Sequence, residues 1–113
     1  MIKIYHNPRC RKSREGLKFL QEREINIEIV DYIKKGISLA EINEIILKLH
    51  IRPKELVRKN EMLYKKELKH LEMTDEEWKQ VISENPALMQ RPVVLAKHKG
   101  VIGDPVENIE KVL

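Results

Sequence analysis

A single cysteine, Cys10, sits in the run His6-Asn7-Pro8-Arg9-Cys10-Arg11-Lys12-Ser13, flanked by basic residues. A lone thiol serves either as a small buried hydrophobe or as a nucleophile, and its surroundings decide between the two. Here an apolar run, Met1 to Tyr5, precedes it and a helical pattern follows, so Cys10 falls on a strand-to-helix turn. Backbone N–H groups at a helix N-terminus lack partners and carry partial positive charge, which favours thiolate over thiol. Arg9, Arg11 and Lys12 push the same way, and His6 is a further candidate for that role. The expected chemistry is nucleophilic attack by a Cys10 thiolate. With no second cysteine an internal disulfide is excluded, and a reducing compartment would keep the thiol free. No metal site is expected, because His50, His70 and His98 are scattered and none stands at ligand spacing from Cys10. The four glycines are isolated, which excludes a phosphate-cradling glycine loop.

The elements that must position this thiol follow from the apolar periodicity. Met1 to Tyr5 and Ile27 to Tyr32 read as short buried strands, and residues 11–24 between them as a helix with Leu17 and Leu20 on one face. Gly16 stands where a bulky side chain would not fit against a neighbour. The strand-helix-strand opening predicts a parallel pair with a right-handed crossover. Ser38-Leu39-Ala40-Glu41 spells a capping box ahead of Ile42, Ile45, Ile46 and Leu49, which predicts a helix over 38–50. A second box, Thr74-Asp75-Glu76-Glu77, opens a helix bearing Trp78, Val81 and Ile82, which Asn85-Pro86 closes; residues 53–70 read as short helices. After Arg91-Pro92, Val93 to Ala96 and Gly100 to Gly103 form a predicted β-hairpin around Lys97-His98-Lys99. Asp104-Pro105 then predicts a last helix with an aspartate cap and proline at its first position. The order β-α-β, helical block, β-β-α assembles into one four-stranded mixed sheet flanked by helices. This is an α/β, thioredoxin-like plan, with 1–113 as a single domain and a helical insertion at about 38–90.

Hydrophobic residues make up 42% of the 113 and charged residues 35%, a balance that suits one folded core rather than a disordered chain. The net charge of +4 permits an anionic partner without naming one, and its basic residues form no long block. The start contains neither a signal-peptide core nor a membrane span, so a cytoplasmic monomer away from membranes is expected. Two predicted helices around Leu49-His50-Ile51-Arg52 mimic a helix-turn-helix, yet no nucleic-acid partner is expected.

His6 to Arg14, written H-N-P-x-C-x-x-S-R, combines with Leu56-Val57-Arg58-Lys59-Asn60 and with Asn85-Pro86 through Gln90-Arg91-Pro92-Val93-Val94. Over nearly the whole chain this pattern resembles the glutaredoxin-coupled arsenate reductase family. The resemblance implies a cysteine that attacks arsenate, arginines that bind the oxyanion, and glutathione with glutaredoxin to resolve the adduct and release arsenite. Cys10 matches the catalytic position and Arg58 and Arg91 the oxyanion-binding positions, while His6 and Ser13 match residues near the thiol, where Ser13, one turn on, is expected to hydrogen-bond and stabilise the thiolate. Arg91-Pro92 before a strand resembles the thioredoxin-fold signature in which that bond is cis. Ser13 takes the place of the second cysteine of a two-thiol motif, so an outside thiol such as glutathione must act, and no bound cofactor is expected.

One position departs from that pattern. Reductases of the family typically carry a third arginine where this chain has Asp104, and Asp104 is expected to cap the last helix, turned away from the site. Arg11, where the family often has glycine, is a candidate replacement for the missing charge. Two alternatives therefore stand beside arsenate reduction: a glutathione-dependent thiol reductase acting on a non-arsenate substrate, and a non-enzymatic regulator of the same fold that binds RNA polymerase. The usual form of the latter needs a two-cysteine switch, which Ser13 removes.

Overall fold

Alternation along the strands divides the molecule into two packed layers on either side of one sheet. The computed structural model describes residues 1–113. Strand β1 (Ile2–His6) lies at the centre and pairs in parallel with β2 (Ile27–Asp31), with Ile4 opposite Ile29 and His6 opposite Asp31. On its other side β1 runs antiparallel to β3 (Val93–Leu95), which turns back into β4 (Gly100–Ile102), giving the order β2-β1-β3-β4. Successive side chains point to opposite faces. Tyr5, Val93 and Leu95 therefore enter one core and Ile4 and Val94 the other.

Helix α1 (Arg11–Gln21) crosses from β1 to β2 and buries Leu20 against Ile4, Val94, Ile109 and Val112. The opposite face is covered by α2 (Tyr32–Lys35), α3 (Leu39–Leu49) and α4 (Asp75–Glu84). Ile42, Ile45, Trp78 and Ile82 fill that larger core. Both capping boxes form: Ser38 Oγ accepts the Glu41 N–H at 3.1 Å while Glu41 accepts the Ser38 N–H at 3.0 Å, and Thr74 with Glu77 repeats the exchange. Between α3 and α4 lie a 3₁₀ turn, Pro53–Leu56, and a π-helical turn, Tyr64–Leu68.

Four expectations shift. Strand β1 reaches His6, because the parallel ladder continues to Asp31. Strand β2 stops there, since the Asp31 carboxylate accepts the Lys34 N–H at 3.1 Å and starts α2 at Tyr32. Helix α1 ends at Gln21, and Glu24 adopts a left-handed φ of 53°. The last segment, Val106–Val112, is a 3₁₀ helix with Pro105 before its first residue and no side-chain cap, so Asp104 does not cap it. The Arg91-Pro92 bond is cis, as is Asp104-Pro105. A Cβ on Gly16 would stand 2.8 Å from Pro92 Cγ, which is the tight neighbour that the glycine implied.

Candidate active site

Cys10 occupies the N-cap of α1 and is partly exposed. The loop that carries it is pinned from beneath. The Cys10 N–H donates to Asn7 O and the Arg9 N–H to Asn7 Oδ1, both at 3.0 Å. Ser13 is fully buried; its hydroxyl oxygen accepts the Asn7 N–H at 2.9 Å and shares a 2.7 Å hydrogen bond with His6 Nδ1. The hydroxyl therefore braces the loop, and it is the backbone N–H of Ser13 that supports the sulfur. Burial raises the Cys10 thiol, but the nearby Arg91 guanidinium and the backbone N–H groups of Ser13 and Lys12 outweigh it, so the net shift is downward. His6 does not add a cation. Its burial lowers its pKa despite the nearby Asp31 carboxylate, which leaves the ring neutral near pH 7.

The two arginines arrive from distant segments that one short ladder ties together. Val57 and Met89 form an isolated antiparallel bridge, the Arg58 N–H donates to Leu88 O at 2.6 Å, and the Gln90 N–H donates to Leu56 O at 2.9 Å. Glu61 then accepts from both guanidinium groups, at 2.8 Å from Arg58 and 3.3 Å from Arg91. The Arg91 side chain, only 10% exposed, also donates to Ala87 O at 3.0 Å. Glu61 was not singled out in the sequence, although its spacing three residues after Arg58 was the available signal.

Cys10, Arg58, Arg91, Lys12, Lys59 and Asp104 line one cleft of about 500 Å³. Asp104 thus faces the site instead of turning away, and its Oδ2 accepts a hydrogen bond from Lys12 Nζ at 2.7 Å. Arg11 is 78% exposed, pairs with Glu15 at 3.5 Å and does not line the cleft. The cation beside Asp104 is Lys12. No helix is long and apolar enough to cross a membrane.

A thioredoxin-like sheet with one activated cysteine at its first strand-to-helix turn, facing two arginines and no second thiol, defines a thiol-dependent oxidoreductase. Residues 5–112 match the ArsC family, and the chain belongs to that family. It is 41% identical over 114 residues to a Neisseria meningitidis protein named arsenate reductase, covering 99% of this chain and 97% of that one. It is also 38% identical to the uncharacterized protein YfgD of Escherichia coli, over 99% of this chain and 96% of the relative. Among solved structures, an arsenate reductase from Vibrio cholerae superposes with a TM-score of 0.93 at 30% identity, covering 99% of this chain and 97% of that one.

Proposed function

We propose that this chain is a cytoplasmic arsenate reductase that works through a Cys10 thiolate, with glutathione as the external reductant and glutaredoxin as its partner. The observation that carries this reading is the shared cleft: a thiol lowered from its ordinary value lies with Arg58 and Arg91 in one solvent-open space. The thiolate electron pair attacks arsenic, one arsenic–oxygen bond breaks, and the departing oxygen takes up protons and leaves as water. The guanidinium groups hold the remaining oxygens and offset the negative charge that shifts among them. Two electrons then come from the glutathione thiol and a glutaredoxin thiol, whose sulfurs end as a mixed disulfide while arsenic leaves as arsenite and Cys10 is freed. A cleft of about 500 Å³ falls within the roughly 300–1,000 Å³ of pockets that take drug-sized ligands, so it has room for a thiol beside the oxyanion.

Arsenate-dependent NADPH oxidation, coupled through glutathione, glutathione reductase and glutaredoxin, tests this reading. Turnover is expected from the native chain and background rates from Cys10→Ser. Absence of arsenate turnover in the native chain would refute it and favour the second reading, a glutathione-dependent reductase of another substrate. The Asp104 carboxylate inside the cleft is the observation that favours that alternative.

A further inference from the structure

Tyr32 is the first residue after β2, and the Asp31 cap turns the chain there so that its ring enters the larger core. The ring packs edge-on against Tyr5, with centroids 6.4 Å apart, and the residue is 0% exposed. Its hydroxyl is nevertheless without a hydrogen-bond partner. The only other buried side-chain polar atom in that condition is Arg91 Nε. A buried donor left unmade is costly, and native proteins rarely keep one without a use.

The two orphans lie at one end of the sheet, Arg91 lining the open cleft and Tyr32 buried outside its lining. The strand order β2-β1-β3 sets the end of β2, the end of β1 and the start of β3 along a single edge of the sheet, so Tyr32, His6 and Arg91 share it with the Cys10 loop. Burial is what most raises the Tyr32 hydroxyl above its ordinary value, and it stays a donor at any working pH. The charges that reach it next are Arg91, Cys10, Arg58 and Glu61, all of them groups of the site. Both orphans are donors, and the unprotonated oxygens of a bound oxyanion are acceptors that match them.

Building on the proposed oxyanion chemistry, we infer that the Tyr32 hydroxyl and the Arg91 Nε–H form a donor pair at the inner end of the cleft that closes on one oxygen of the anion held at Cys10. Tyr32 is then a substrate-binding residue. In the free protein the pair is shut from solvent, and Arg91 is held by Ala87 O and Glu61. On binding, the guanidinium turns from those acceptors to the anion, and the Tyr32 hydroxyl donates to the same anion oxygen.

Tyr32→Phe keeps the ring and deletes only the unpartnered hydroxyl. Tyr5→Phe is the control, since its hydroxyl is already bonded to Glu41 at 3.3 Å. Titration calorimetry with arsenate, inorganic phosphate and sulfate at fixed ionic strength reads anion affinity, and thermal melts of the unliganded proteins read stability. Tyr32→Phe is expected to melt no lower than the native chain yet bind the tetrahedral anions about tenfold more weakly, a loss of about 1.4 kcal/mol. Tyr5→Phe is expected to keep native affinity. Equal affinity in Tyr32→Phe and the native chain overturns the inference alone. A native chain that binds none of the three anions overturns the oxyanion reading beneath it, and the inference with it.

Discussion

Cys10 is a thiol whose acidity depends on contacts that burial alone would not supply: two backbone N–H groups of α1 and the Arg91 guanidinium. A neighbouring cation stabilises thiolate, so its removal must move the titration upward. Alkylation of Cys10 by iodoacetamide is therefore expected to reach half its maximal rate at a lower pH than free cysteine, and Arg91→Gln is expected to move that midpoint up. The same substitution deletes a charged hydrogen-bonding group worth about 1.5–3 kcal/mol, so kcat/KM for arsenate should fall roughly ten- to a hundredfold. An unmoved midpoint would show that the helix N–H groups alone set the acidity. At this scale the sequence was informative about placement, since Cys10, Arg58 and Arg91, singled out by type, line one cleft. It was silent on Tyr32, whose apolar neighbours read as core, and on which atom of Ser13 faces the sulfur. Both depend on the direction a side chain takes, which spacing does not encode.

Among the elements, those with local signals were legible: both capping boxes, the β-hairpin and the cis proline that the Arg91-Pro92 resemblance implied all form. The end of β2 and the 3₁₀ form of the last helix were not: Asp31 serves both as the last rung of the strand and as the cap of α2, and the last helix is shaped by the sheet it covers. The pairing with His6 carries β2 as far as Asp31 and the cap on Lys34 N–H stops it there, while Val106–Val112 must lay Ile109 and Val112 on the sheet. Gly16 in α1 joins the two kinds of information. Alanine at a helix interior normally gains about 0.5–1 kcal/mol over glycine. Here the added Cβ would stand 2.8 Å from the Pro92 ring, and overpacking of that kind costs about 1–3 kcal/mol. Gly16→Ala is thus expected to lower Tm by several degrees in a thermal melt and to reduce Cys10 turnover, since Pro92 adjoins Arg91. A raised Tm would mean that the proline yields without cost.

For the molecule as a whole, the cleft gathers charge from the entire length of the chain, and the Lys12–Asp104 pair joins residues 92 positions apart. Both partners are about half exposed, so the pair contributes at most about 1 kcal/mol to stability. Its effect on an incoming anion is larger. At about 6 Å and an effective dielectric near 20, one unit charge is worth roughly 3 kcal/mol, and reversing its sign doubles that before screening by solvent. With about a third surviving, Asp104→Arg is expected to lower the KM for arsenate roughly tenfold with little change in Tm. An unchanged KM in steady-state kinetics would remove Asp104 as a determinant of substrate choice. The orientation of Asp104 was not legible, since its partner lies in the first helix and only the closed fold brings them together. The same closure stacks Gly16, Pro92 and Gly103, for a Cβ on either glycine would come within 3.0 Å of the one proline ring. One position near the beginning of the chain and two near its end thereby share one volume. In descent, a change at any one of these three positions therefore alters which residues the other two can accept.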